Sequence, residues 1–255
     1  MKFIEGATLA HTTRDPEVVK SEVTESMSLF DAEFIAPSIE RRQALIAAVA
    51  AGNAPESSLP LDILTVLLRN EDALHIEHHT LVREIAFFLL AGAHTSATAF
   101  VRTLDNLFTW LEKHPEDSEL VHTNREFVQH AVYETIRLNP SSPIAMRRAL
   151  EDVTLRSGLV IKEGAIVVID LMAVNRDVAM YGADAAEFNP HRQPADSTVS
   201  RWGLSFGSGM HACIGQELAA GLNERSQETA DYEYGLSTVA VQSMFDRGVR
   251  PDPAH

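Results

Sequence analysis

The chain has 255 residues, 45% of them hydrophobic, enough for a substantial core in one large domain or two small ones. Lys and Arg number 21 against 36 Asp and Glu, a net charge of −15, which argues against general nucleic-acid binding and against docking on anionic lipid. The single cysteine excludes an internal disulfide and fits a reducing compartment. No apolar segment follows a basic N-terminal start, and the longest apolar run, Ile85 to Ala93, is too short to span a bilayer. A soluble, cytoplasmic protein is the expectation.

Asp15-Pro16-Glu17 reads as a helix start, with Val18, Val19, Val23 and Met27 on its apolar face. A second helix is predicted over about Pro37 to Ala51, capped by Gly52-Asn53. Residues 54–59 read as a short linker. Helical periodicity resumes over Leu61 to Arg69, with Leu61, Leu64, Leu67 and Leu68 on one face. His75 and His79, four apart in the polar stretch 70–80, could share a helix face as metal ligands. With no third ligand nearby, a solvated connector is the better reading.

A long helix is predicted over about Thr80 to Lys113. Its centre, Ile85 to Thr98, is apolar nearly all round and is expected to be buried, with Gly92 allowing a close approach to the backbone. Thr95, Ser96 and Thr98 could simply bond back to the preceding turn. Arg125 to Leu138 forms the next helix, where Glu134 and Arg137 share a face. Exposed, such a pair is worth about 0.3–0.5 kcal/mol. Asn139-Pro140 ends that helix. Strands follow at Val153–Leu155, Leu159–Ile161 and Ala165–Leu171, the last two joined through Lys162-Glu163-Gly164. An apolar, helix-compatible run covers Ile214 to Ala220. Beyond it Gly221, Asn223 and the polar run Glu224–Glu233 interrupt the helix, and Leu236 to Phe245 forms a short amphipathic one closed by Gly248, with Pro251 and Pro253 beyond.

The cysteine sits in Phe206-Gly207-Ser208-Gly209-Met210-His211-Ala212-Cys213-Ile214-Gly215. Taken alone, a single Cys is most often a small buried hydrophobe. A glycine-rich turn before a helix instead suits a lone thiolate metal ligand. The pattern Phe-x-x-Gly-x-x-x-Cys-x-Gly resembles the haem-binding signature of the cytochrome P450 family, with Phe206, Gly209, Cys213 and Gly215 in its fixed positions. Three further segments resemble that family in the same order. Ala91-Gly92-Ala93-His94-Thr95-Ser96 is similar to its central-helix segment, with His94 at the usual acidic position. Glu134-x-x-Arg137 is similar to its Glu-x-x-Arg pair, and Arg192 to the loop arginine that joins it.

The resemblance implies a mainly α fold with a small β-region, cytochrome P450-like and lacking its N-terminal part, as one domain over residues 1–255. It implies haem b as cofactor, with Cys213 as axial iron ligand and Phe206, Gly209 and Gly215 shaping the loop. His211 and Arg147 would stand near the propionates, with Arg148 as the register alternative for Arg147 and a surface position as the plain reading of either. Arginine suits this because its planar fork grips a carboxylate with two bonds. Thr95 and His94 would be catalytic on the oxygen-binding side, since an imidazole titrates near neutrality and can relay protons. Glu134, Arg137 and Arg192 would be structural. The implied activity is oxygen-dependent oxidation of a small organic substrate, with electrons from a separate ferredoxin- or flavodoxin-type donor. A haem-binding or partner-binding remnant completed by self-association or another chain is one alternative. Peroxide-driven or non-oxidative haem-thiolate chemistry is another.

Overall fold

The computed structural model describes residues 12–196, 198–222 and 234–252. The polar run at 223–233 and Pro253 lie outside the described residues. The chain groups into two compact units, residues 1–93 and 94–255.

In the first unit, helix α1 (Pro16–Phe30) starts on Asp15, whose carboxylate accepts the Glu17 N–H. One π-helical stretch, Asp31–Ile35, joins it directly to α2 (Ala36–Ala50). Pro37 has no N–H and its ring would crowd the carbonyl four residues back, so the widened turn lets the helix run on through it. Two short helices follow, α3 (Ile63–Arg69) and α4 (Glu71–Leu74). Leu64 is buried, but Leu61 lies outside the helix and is fully exposed, unlike its expected place on the apolar face.

Helix α5 (His78–Lys113) runs from one unit into the other. Its apolar centre is not buried as expected: Phe87 and Leu89 are exposed, as are residues 91–95, and only 6% of its most apolar 18-residue window is buried. Apolar composition predicts burial only where another element covers it, and among the described residues none does so there. A Cβ at Gly92 would meet nothing within 4 Å, so none of the described residues approaches that glycine closely. With a mean hydropathy of 1.4 over that window, α5 is long and apolar enough, by length and composition, to cross a membrane. The sequence-based exclusion counted only consecutive apolar residues, whereas Gly92, Thr95 and Ser96 dilute the hydropathy little.

The second unit is built on α7 (Arg125–Leu138), which follows the single turn α6 (Leu120–Thr123). The Asn124 side chain caps α7 through the Phe127 N–H. From Phe127 to Leu138 nearly every side chain of α7 is buried. One core cluster joins Phe127, Val128 and Ala131 to Leu107 of α5 and to Val241 and Phe245 of the C-terminal helix. A second joins Val132, Tyr133 and Ile136 to Trp202 and Ala220, with Phe206 packed against it.

Two small antiparallel sheets follow. Strand β1 (Ile144–Arg148) pairs with β4 (Ile166–Asp170), Arg147 opposite Val167, and β2 (Val153–Thr154) pairs with β3 (Val160–Ile161). The turn at 162–164 therefore connects two sheets, rather than closing the hairpin expected from the sequence. Strand β1 was not expected at all, because Ile-Ala-Met-Arg-Arg lacks the β-branched alternation that marks strands. The short helices α8 (Leu171–Val174) and α9 (Val178–Tyr181) lead to the loop before Cys213. Helix α10 (Gln216–Ala220) follows that loop, and α11 (Leu236–Asp246) packs on α7.

Gln129 on α7 ties the two ends of the 222–235 excursion together. Its amide donates to the Leu222 carbonyl at 3.1 Å and accepts the Gly235 N–H at 3.2 Å. Gly235 sits so close that an added Cβ would lie 2.3 Å from the Ala220 carbonyl carbon and 2.5 Å from the Gly221 nitrogen. Backbone cannot step aside cheaply, so Gly235→Ala is expected to destabilise by about 2–3 kcal/mol in urea unfolding. Gly164→Ala, at φ +79° with nothing within 4 Å, carries only the backbone strain of about 1 kcal/mol. Equal losses for the two variants would refute the close-packing account.

His130, also on α7, has a side chain only 20% exposed. Burial, followed by the charge of Arg201, pulls its pKa from 6.5 down to about 4. Between those values the unfolded chain binds the proton and the folded chain does not, so stability falls as pH drops from 6.5 towards 4. After allowance for solvent screening, the loss at about pH 5 is roughly 1 kcal/mol. Urea unfolding at about pH 7 and pH 5 checks it: the difference shrinks in His130→Gln, and persistence there would assign the effect to another group.

Candidate active site

Arg137 has no exposed surface, so its charge must be met inside the protein. Its Nε and Nη2 donate to the two oxygens of Glu134, both at 2.7 Å, the two-bond match of a planar fork to a carboxylate. Its Nη1 donates to the carbonyls of Asn175 at 2.5 Å and Ala185 at 2.7 Å, and its guanidinium carbon lies 4.7 Å from the centre of the Tyr181 ring. The i, i+3 spacing puts both charges on one face of α7, and burial of that face makes them an internal pair, where the exposed-pair estimate does not apply.

Arg192 completes the cluster. Its Nε donates to Glu134 Oε1 at 2.7 Å, its Nη1 to Asp184 Oδ1 at 2.7 Å and to the Tyr181 carbonyl, and its Nη2 to the carbonyls of Asp184 and Glu187. Burial works against its charge, but the hydrogen bonds to Asp184 and Glu134 outweigh that and raise its pKa. The hydrogen bond from Arg192 likewise lowers the pKa of Asp184. The Asn189 N–H also donates to Glu134 Oε1, at 3.2 Å.

The cluster reaches the cysteine loop through Asn175, whose segment Asn175-Arg176-Asp177 follows the family order but carries no role from the sequence, and through Ser205 and Trp202, which the sequence reading did not name. Asn175, fully buried, donates from its side-chain nitrogen to the Arg137 carbonyl and to Ser205 Oγ, and accepts the Leu204 N–H. Ser205 Oγ in turn donates to the Ile136 carbonyl at 2.8 Å. Trp202, packed edge-on between Tyr133 and Phe206, anchors the same loop by its bulk. Only the tryptophan carried a composition signal, since a large apolar ring in a polar loop needs a core to enter. An asparagine in Asn-Arg-Asp is indistinguishable by type from a turn residue.

After Phe206 the chain turns through Gly207 (φ +72°) and Gly209 (φ +67°), conformations that side chains rarely adopt. A 3₁₀ turn covers Gly209–His211, and the Cys213 N–H closes the loop onto the Phe206 carbonyl at 2.7 Å. Cys213 is exposed, not the buried hydrophobe that a lone cysteine usually is. A Cβ at Gly215 would stand 3.9 Å from Cys213 Sγ. In and just after the same loop, Met210, Ile214 and Leu218 are 93%, 89% and 73% exposed. The helix after the loop, α10, is only five residues long, so its dipole is small.

The remaining candidates lie apart from the buried cluster. His211 is exposed beside Cys213. Arg147 is exposed on β1 and donates to the Met146 carbonyl, while Arg148 donates to that of Gly164 at 3.4 Å. His94 and Thr95 are exposed on α5, and Thr98 Oγ1 bonds back to the His94 carbonyl at 2.9 Å. His75 and His79 belong to no metal set: among the described residues no group of three His, Cys, Asp or Glu could hold a metal ion.

The donor set fits a haem. An accessible thiol stands on a loop shaped by its own backbone, and uncovered apolar side chains in and just after that loop suit a flat apolar macrocycle. Cutting the brace should be costly: removal of one partner from a buried ion pair costs about 3–5 kcal/mol. Glu134→Ala is therefore expected to lose that much in urea unfolding and to lower soluble yield. A loss within the range of a surface pair, about 0.5 kcal/mol, would show that the cluster does not hold the fold.

The family profile described as cytochrome P450 matches residues 30–221. Cytochrome P450 133B1 of Xylella fastidiosa is 31% identical over 160 residues, 62% of this chain and 37% of that protein. Cytochrome P450 734A5 of Oryza sativa subsp. japonica is 36% identical over 168 residues, 54% of this chain and 29% of that protein. The chain thus spans about a third of the length of these curated relatives. Among solved structures, HmtT, a protein involved in himastatin biosynthesis, matches with a TM-score of 0.65 and 27% identity, over 95% of this chain and 52% of HmtT. CYP154A1 of Streptomyces coelicolor matches in fold with a TM-score of 0.59 and 23% identity, over 95% of this chain and 51% of that one. The chain belongs to the cytochrome P450 family, whose members bind haem b through its iron.

Proposed function

We propose that this chain carries the haem-thiolate portion of a monooxygenase, with Cys213 Sγ as the axial ligand of the haem b iron. The observation that carries the reading is the exposure of the sole cysteine on a loop joined by hydrogen bonds to the buried Glu134–Arg137–Arg192 cluster. When bound through a thiolate, haem supplies oxygen activation, because electron donation from sulfur favours O–O cleavage.

The chain's own residues do the rest. The Cys213 N–H to Phe206 carbonyl bond fixes the backbone that carries the thiolate, Gly209 gives the loop its positive-φ turn, and Gly215 leaves the space beside the sulfur free of a side chain. His211 and Arg147, both exposed, are assigned to neutralise the carboxylates of the cofactor, as the family resemblance implies. Thr95, whose Oγ1 can donate and accept a hydrogen bond, and His94 are assigned to the oxygen-binding side on the family resemblance, with His94 where that resemblance sets an acid. The substrate is a small, largely apolar organic molecule. Electrons come from a separate ferredoxin- or flavodoxin-type protein, and the location is the cytoplasm, with neither nucleic acid nor membrane as partner.

A second reading, a haem- or partner-binding remnant completed by another chain or a second copy, is favoured by the uncovered apolar residues Met210, Ile214 and Leu218 in and just after the cysteine loop. The protein supplied with haem, reduced and treated with carbon monoxide is expected to show the thiolate-type visible band. Cys213→Ser is expected to lose it, and an unchanged spectrum in that variant would refute the ligand assignment. Turnover with a reductase system supports the monooxygenase. Turnover with peroxide alone supports a peroxide-driven enzyme, and haem uptake without turnover supports the remnant.

A further inference from the structure

The buried cluster and the cysteine loop are separate in sequence, and one side chain stands between them. Asn175 ends α8 with no exposed surface. Its backbone carbonyl accepts Arg137 Nη1 at 2.5 Å. Its two side-chain N–H groups serve opposite sides: Nδ2 donates to the Arg137 carbonyl at 2.9 Å and to Ser205 Oγ at 2.9 Å. Its Oδ1 accepts the Leu204 N–H at 2.8 Å. Only an amide supplies two donors and an acceptor in this arrangement; a carboxylate lacks the donors. The site is also shaped around it, since a Cβ on Gly203 would lie 2.2 Å from Asn175 Oδ1. Two residues after Leu204 comes Phe206, whose carbonyl accepts the Cys213 N–H.

We propose that Asn175 is a positioning residue for Cys213. It transfers the fixed geometry of the Glu134–Arg137–Arg192 cluster to Leu204 and Ser205, and through Phe206 to the thiol. The proposal rests on the reading of Cys213 as the haem ligand, and it makes Gly203 the residue that keeps room for the amide. Buried amide bonds of this kind have no water to replace them, so their loss frees the loop without removing the sulfur.

The experiment uses the full chain and four variants: Asn175→Ala, Asn175→Asp, Gly203→Ala and the Asn175→Ala/Gly203→Ala double. In the haem-free protein, hydrogen exchange of the amides at 204–213 is expected to quicken about tenfold in the single variants, the scale of one lost buried hydrogen bond. Because Cys213 is the only cysteine, a thiol reagent reports on it alone, and its labelling rate is expected to change with the exchange. In the haem-loaded, reduced, carbon monoxide-treated protein, intensity should move from the thiolate-type band to a displaced-ligand band.

The double variant is expected to lose less than the two single variants summed, because the clash partner is gone and only the backbone strain at Gly203 (φ +63°) is added to Asn175→Ala; additive losses would overturn the proposal. A Val241→Ala control, which lowers stability in the core away from the loop, should leave the band ratio unchanged. If it shifts the ratio as Asn175→Ala does, the role is general stability and the proposal fails. Unaltered exchange and labelling in folded Asn175→Ala also overturn it. Should that variant not fold, Ser205→Ala, which removes one of the amide's contacts to the loop, gives the same decision. A wild-type protein with no thiolate-type band would refute the haem-ligand reading, while exchange and labelling would still decide whether Asn175 sets the thiol.

Discussion

Glu134 is the point on which the second unit turns. One carboxylate receives four hydrogen bonds, two from Arg137, one from Arg192 and one from the Asn189 backbone. With Asp184 on Arg192, the cluster holds two carboxylates and two guanidinium groups, so its formal charge is zero. That neutrality is what makes burial tolerable, because an uncompensated charge in this position would cost far more than any single contact returns. The pairing is weak evidence for net stability, since desolvation consumes much of the attraction. Its consequence is registry. Each guanidinium has a fixed fork, and beyond the carboxylates of Glu134 and Asp184 its N–H groups are matched to the carbonyls of Asn175, Tyr181, Asp184, Ala185 and Glu187. The irregular segment 181–192 has almost no repeating backbone bonds of its own, and the cluster supplies them.

Much of this architecture is legible in the sequence because it is local. Asp15-Pro16 and Asn124 place the starts of α1 and α7 through side-chain caps that short-range rules describe. The periodicity of 125–138 marks α7 end to end. The ordered motifs around Thr95, Glu134, Arg192 and Cys213 lead to the family, and the family profile and fold agree with them. The element order follows from that.

What the sequence hid is non-local. Strand β1 takes its conformation from pairing with Ile166–Asp170, not from its own residues, so Met146, Arg147 and Arg148 gave no warning. The same pairing explains why 159–161 and 165–171 do not form one hairpin: β4 is already claimed by β1, and β3 by β2. The exposure of Phe87 and Leu89 is likewise a fact about neighbours, which hydropathy cannot see. The Glu134–Arg137 pair shows the same limit: its structural role, joined by Arg192, follows from the family resemblance and not from the i, i+3 spacing. Spacing gives the contact, but only burial of the surrounding face of α7 decides whether that contact is a screened surface pair or the hub of a unit.

Hydrogen bonds to the rest of the chain shape the cysteine loop: Leu204 and Ser205 to Asn175, Ser205 to Ile136, and Cys213 to Phe206 within the loop itself. The loop's order therefore derives from α7 and its charge cluster, and a ligand on Cys213 would be received by a backbone already set. Preorganisation of this kind separates two tasks that a flexible loop would combine. Holding the thiol costs conformational entropy at folding, where burial of Trp202 and Phe206 against Tyr133 offsets it. A loop ordered at folding leaves little ordering to oppose the binding of a ligand at the thiol.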